Sequence, residues 1–201
     1  MLAGDPAKFA IESAIAKAYD RLSFRALGYF VIHIAGQRYG VFAPDATMLA
    51  CSFDEVERRI GQRGQHTAPF STQEDAAAIA DAYRDAIYAP AQKTNRFFGI
   101  SQPEFHDLIY SNHLVWAPDG DEAFDDWSHV LQFDIGNRVR LIGFRSLEEG
   151  YHHDPHTLAD MWLNADAFYS TLQRWRDAFD AEWCGSSRIP RSEDGAEGWS
   201  S

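Results

Sequence analysis

The sequence predicts an α+β fold, a single domain whose mostly antiparallel sheet is built from hairpins and packed with several helices, including a long C-terminal one. Two hairpin patterns and one helical stripe carry that expectation. Apolar and small residues alternate through Phe24, Ala26, Gly28, Phe30, Ile32 and Ile34. They alternate again through Leu131, Phe133 and Ile135, and through Val139, Leu141 and Gly143 after Gly136-Asn137. A period of two marks a strand with one face buried. Phe168, Leu172, Trp175 and Phe179 instead share one side of a helix. With 201 residues, 45% of them hydrophobic, the chain is large enough for its own core, and no repeat or linker divides it. The expected domain covers 1–184; residues 185–201 turn to Gly, Ser, Pro and charge and read as a flexible tail.

In chain order, Phe9, Ile11, Ser13 and Ile15 alternate with Ala10, Glu12, Ala14 and Ala16. The alanines leave a helix open, but the start Phe9-Ala10-Ile11 favours a strand. Ala35-Gly36-Gln37 then turns the chain from Phe24–Ile34 into a hairpin partner, Arg38-Tyr39-Gly40-Val41-Phe42. Ser52-Phe53-Asp54-Glu55 has capping-box spacing and starts a helix with Phe53, Val56 and Ile60 on one stripe, ending near Gly61 or Gly64. Gly61 to Pro69 is polar and forms a loop. Ser71-Thr72-Gln73-Glu74 repeats the capping pattern and opens a helix through Ile79, Tyr83 and Ile87, which Pro90 stops. Pro103-Glu104 starts a short helix through Phe105, Leu108 and Ile109. Gly136-Asn137 suits a type II′ turn, because glycine at its first central position tolerates positive φ. A strand over Thr157–Leu163 follows, and Asn164 or Asp166 caps the final helix.

Charge narrows the partners. A formal −12 argues against nucleic acid and against an anionic membrane surface, since both recruit clustered Lys and Arg. No stretch approaches the ~20 apolar residues that span a bilayer. Met1 to Phe9 contains Asp5 and no apolar run, unlike a secretory signal. Cys51 and Cys184 are far apart in sequence and suit a reducing compartment, so a cytoplasmic location is expected.

Catalytic patterns are weak. Neither a Gly-x-Ser-x-Gly elbow nor a phosphate-cradling glycine loop occurs. Cys51 precedes a helix that would stabilise a thiolate, yet it reads more simply as a small filler between Leu49 and Phe53. His152-His153-Asp154-Pro155-His156 has metal-ligand residue types, without a neighbouring Cys or second His pair to complete a site. Asp125-Asp126 is a carboxylate pair that no other residue completes. The other histidines, such as His106, His113 and His129, are scattered. The chain does not read as an enzyme, and no cofactor or metal is expected. The rival from another class is a small acidic metal-dependent enzyme using the His152–His156 loop; an adaptor for a cellular partner is a third reading.

One window stands apart. Between Arg96 and Arg138 there is no Lys or Arg, while Glu104, Asp107, Asp119, Asp121, Glu122, Asp125, Asp126 and Asp134 fall within it. Trp116, Phe124 and Trp127 are interleaved with these acids. Polyanion tails lack aromatics, whereas surfaces that hold a basic partner combine aromatic anchors with a negative field.

Gly4-Asp5-Pro6 followed by Phe9-Ala10-Ile11-Glu12, the Gly36-Gln37 turn, Gly143-Phe144-Arg145-Ser146 and the run from Asp166-Ala167-Phe168-Tyr169 to Trp183 form a combination. It resembles immunity protein family 42, one of the bacterial polymorphic-toxin immunity families, over Met1 to Trp183. The resemblance implies a non-enzymatic protein that binds and neutralises a cognate protein toxin. Its motif residues specify fold and bring no binding site with them. Taken with the charge pattern, it makes Trp116, Asp119, Asp121, Glu122, Asp125, Asp126 and Trp127 the candidate toxin-facing residues, with Glu148 and Glu149 as an extension. The alternative is that Trp116 and Trp127 are core and the acids an ordinary solvated loop.

Overall fold

Two antiparallel sheets share a core with two helices that run antiparallel to each other. The computed structural model describes residues 1–90, 95–116, 122–147 and 152–190. The chain begins with β1 (Leu2–Asp5), β2 (Phe9–Tyr19), β3 (Ala26–Ile34) and β4 (Gln37–Tyr39), paired in that order. β5 (Thr47–Met48) also pairs with β3 and leads straight into α1 (Leu49–Gly61). After α2 (Ala76–Tyr88) comes a small hairpin, β6 (Arg96–Phe97) and β7 (Ile100–Ser101), and then α3 (Gln102–Ser111). β8 (Ser128–Ile135), β9 (Arg138–Arg145) and β10 (Ala159–Asn164) make the second sheet, in the order β10-β9-β8. α4 (Ala165–Gly185) follows at once, and β11 (Arg188–Ile189) pairs parallel with β2.

The first core lies between the sheets. α1 and α4 line it, with Phe9, Ile11, Phe30 and Ile32 from the larger sheet and Val130, Val139 and Leu141 from the smaller. The α4 stripe predicted from spacing is buried as expected. Trp175 stacks on Phe179 at 5.3 Å, meets Phe30 edge-on at 5.2 Å and donates its indole N–H to Ser13 Oγ at 3.1 Å. The antiparallel course of α1 and α4 is held at both ends. Arg63 pairs with Asp166 at one end, and the Arg25 guanidinium lies over the Phe53 and Trp183 rings at the other.

α2 and α3 cover the opposite face of the smaller sheet, making a second core of Phe70, Tyr83, Phe105, Leu131, Phe133 and Phe144. Both faces of β8 and β9 are therefore buried, so alternation is weak there and the runs are nearly continuous. Gly143 is dictated by packing, because a Cβ would overlap the Tyr39 ring. That ring's hydroxyl donates to Thr157 O at 2.7 Å and Gly143 O at 3.1 Å. At the β8–β9 turn Gly136 has φ +59° and Asn137 is not among the positive-φ residues, as a type II′ turn requires.

Several boundaries differ from the sequence expectation. α1 starts three residues before Ser52, because β5 delivers Leu49 and Ala50 directly into the core. Ser52 is thus inside the helix, and Glu55 bonds Arg58 and Arg59 rather than a cap. α2 is capped by Asp75, which accepts from Ala78 N–H at 2.8 Å, while Ser71 bonds Ala68 O. α3 carries the capping box Ser101/Glu104 at its start, next to the predicted Pro103-Glu104. Asn164, not Asp166, caps α4. Gly40-Val41-Phe42 leaves the hairpin, because Val41 N–H turns to Ala123 O at 2.8 Å. Within the expected tail, Arg188–Ile189 is a strand; residues 191–201 lie outside the described residues.

Candidate partner-binding surface

Within the acidic window, Glu122, Asp125, Asp126 and Trp127 fall on a 3-10 helix, Glu122–Phe124, and the short turn from it into β8. Phe124 anchors it, packed edge-on to Phe30 at 6.4 Å. Ala123 O takes the N–H of Val41, and Gly40 N–H donates to Ser128 Oγ at 3.2 Å, so the chain beyond β4 is stitched along the turn. Asp126 accepts from Ser128 N–H at 3.2 Å through one oxygen and from Arg145 Nε and a terminal guanidinium nitrogen at 3.2 and 3.1 Å through the other. Arg145 also donates to Arg38 O at 2.8 Å, and Ser146 N–H to Trp127 O at 3.0 Å.

Trp127 stands at the apex. Its φ is +65°, in the left-handed region that costs a non-glycine residue about 1–2 kcal/mol. Its side chain is nevertheless 57% exposed, so burial of the indole does not offset that cost. Phe42 and Leu147 are the other large exposed apolar residues joined to this turn, through the Val41–Ala123 and Ser146–Trp127 bonds respectively. Glu122 and Asp125 are exposed between them.

Trp116 belongs elsewhere, which corrects its place among the candidate surface residues. At 1% exposure it is a core residue, stacked near Phe30 at 6.4 Å with the Arg59 guanidinium 4.4 Å from its ring centroid. Its indole N–H donates to Gln132 Oε1 at 3.1 Å, which also accepts from Arg59 at 2.9 Å. Arg59 is fully buried and reaches Glu55 and Val115 O, at 2.6 Å each. Burial lowers its pKa, and Glu55 opposes that shift. Gln132 Nε2 continues to Asp134 and to Tyr169 OH, and Tyr169 donates to Asp134 at 2.8 Å. Burial, then the Asp134 carboxylate, raises the Tyr169 pKa. Asp134, counted in the window as an acid, is a structural acceptor of this network.

The histidine loop also has structural partners. His153 is buried, with its backbone N–H 3.0 Å and its ring Nδ1 2.7 Å from Asp81 Oδ1 on α2. Burial alone raises the Asp81 pKa, but the two His153 hydrogen bonds outweigh it and the net shift is downward. His152 is exposed, 3.6 Å from the same carboxylate, and the exposed His156 donates its backbone N–H to the capping Asp154 side chain at 3.0 Å. Among the described residues no group of three or more His, Cys, Asp or Glu is arranged to hold a metal. Neither Cys51 nor Cys184 is in a disulfide and both are exposed, so the filler reading of Cys51 is corrected.

The structure brings Glu122, Asp125, Asp126 and Trp127 together at one surface turn and takes Trp116 out of it. Asp119, Asp121, Glu148 and Glu149 lie outside the described residues. Phe42 and Leu147 were not singled out as site residues from sequence, and Arg145 entered only through the family motif. Phe42 read as a strand residue, and its one warning signal was the Ala43-Pro44 that follows it.

The profile of the family described as Immunity protein 42 matches residues 1–178. No curated protein sequence matches the chain. Among solved structures, the crystal structure of CdiI from Burkholderia dolosa AUO158 is similar, with a TM-score of 0.54 and 15% identity. The match covers 89% of this chain and 99% of that one, a likeness of fold. Among the described residues no helix is long and apolar enough to cross a membrane. With a family match that spans nearly the whole domain, the chain belongs to the immunity protein 42 family.

Proposed function

We propose that this protein neutralises a cognate bacterial toxin by occluding a basic active-site or substrate surface with the face built around Trp127. The carrying observation is the exposed indole on a left-handed backbone, pinned by Asp126 and Arg145. Backbone strain at a presented aromatic marks a functional position, and the bonds of Asp126 to Ser128 and of Ser146 to Trp127 O hold that backbone in place before binding. Trp is among the residues enriched in such anchors. Glu122 and Asp125 beside it, on a chain of net charge −12, supply a field that speeds encounter with a basic cleft. No chemistry by this chain is required: covering the cleft excludes substrate.

The test is direct binding to the catalytically inactivated cognate toxin domain. Glu122→Gln, Asp125→Asn and Trp127→Ala together should weaken the complex by at least about tenfold and flatten its salt dependence. Unchanged affinity and unchanged salt dependence would remove this turn from the interface.

A further inference from the structure

The turn is too small to be an interface by itself. A stable protein–protein contact takes roughly 800 Å² and about 20–30 residues from each side. The described turn offers Glu122, Asp125, Asp126 and Trp127. A tight complex must therefore spread onto an adjoining surface, and the fold leaves one open. α1 and α4 both pack on the inner face of the larger sheet, and α2 and α3 pack on the smaller sheet. Among the described helices, none covers the outer face of β1 to β4.

That face is organised. Tyr29 and Phe42 rings meet at 4.5 Å, and the Arg38 guanidinium sits 4.3 Å from the Phe42 centroid. Tyr29 OH donates to one oxygen of Glu12 at 3.1 Å, and His33 Nε2 lies 2.9 Å from the other. Leu2 pairs with Glu12 across β1–β2 and is 54% exposed. Ala10 and Val31, which pair with His33 and Glu12 across β2–β3, are buried on this face. The result is a carboxylate held in place by two neighbours, beside an aromatic pair whose outer member is half exposed. An arrangement already ordered in the free chain loses little on docking. The Val41–Ala123 and Gly40–Ser128 hydrogen bonds make this face continuous with the Trp127 turn.

Building on the proposed function, we infer that the toxin lies across both: its apolar side chains cover Phe42 and Leu2, and a basic group meets Glu12. The occupant is fixed by chemistry. Glu12, Glu122 and Asp125 call for cations, and Arg38 stacked on Phe42 shows that this ring accepts a guanidinium. A second copy of this chain would bring another −12 to the contact.

Two double variants separate the face from the turn: Glu12→Gln with Phe42→Ala, and Asp125→Asn with Trp127→Ala. Each is titrated against the inactivated cognate toxin domain. Side-chain oxidation footprinting of Tyr29, His33 and Phe42 on the wild-type chain, free and in complex, gives a readout that does not depend on variant folding. The inference expects both variants to lose about tenfold or more in affinity, with these three side chains protected in the complex. Wild-type affinity for the face variant without protection, while the turn variant is weakened, overturns the inference and leaves the proposed function standing. A complex that neither variant weakens and no side chain registers overturns both. Protection of the same side chains in the free chain as its concentration rises, with dimers in sedimentation, assigns the face to a second copy and overturns the inference.

Discussion

Arg145 joins the exposed turn to the end of β9 by closing on Asp126 with two nitrogens, at 3.2 and 3.1 Å. Both partners are partly exposed, so the pair itself contributes only ~0–1 kcal/mol to folding. Its larger effect is positional, because the turn carries Trp127. Replacing Arg145 by Leu should leave the urea midpoint almost unchanged and still weaken the toxin complex several-fold, read by calorimetry on the same preparation.

Trp127 allows a sharper separation of stability from binding. Glycine enters its left-handed conformation without the ~1–2 kcal/mol penalty, although a freer unfolded chain returns about 0.4–1 kcal/mol of that gain. Trp127→Gly should therefore melt within a few degrees of wild type, while toxin binding falls by at least about tenfold. A large loss of stability would show that the indole supports the fold.

Trp116 should behave in the opposite way. Trp116→Ala removes a buried indole and strips Gln132 and Arg59 of a partner, for a cost of about 3–5 kcal/mol. Arg59→Met should also destabilise strongly, because Gln132 Oε1 and Val115 O would each lose a buried donor. Chemical denaturation measures both. In either variant the fraction still folded should retain toxin affinity.

Acid should weaken the fold through His129. Burial, with Arg84 nearby, pushes its pKa down to about 3, against an ordinary 6.5. Between those values the unfolded chain takes up a proton that the folded chain refuses, so stability is full above pH 6.5 and falls as pH drops toward 3. The slope approaches 1.4 kcal/mol per pH unit for one such group. Burial shifts His66 and His113 in the same direction. Asp81, with its lowered pKa, adds a further loss only below the ordinary carboxylate range. Denaturation at pH 7 and pH 5 should show a clear drop for wild type and a smaller one for His129→Gln, in which Ser146 keeps a polar neighbour.

Most elements were legible because their signals are local. The β2–β3 and β8–β9 strands, the α4 stripe and the short helix begun by Pro103-Glu104 each follow from spacing within a dozen residues. Misplaced starts have an equally definite cause. Ser52 and Ser71 both precede suitable acids, but β5 pairing pulled α1 forward, and Asp75 offered α2 a cap closer to its first buried residue, Ala76. β1 and β11 escaped notice because each is short and exists only by pairing with β2.

By itself, the sequence determined the α+β class, the hairpins, the long last helix, the family resemblance and the negative charge, all of which depend on composition or on near neighbours. Tertiary structure alone decided which tryptophan is presented. Trp116 and Trp127 look alike in sequence, each beside acids in a window without Lys or Arg. Phe30, Arg59 and Gln132, remote in the chain, close over Trp116, whereas Asp126 and Arg145 lift Trp127 into solvent. Burial is set by contacts between distant segments, and no period or spacing around either residue encodes those contacts.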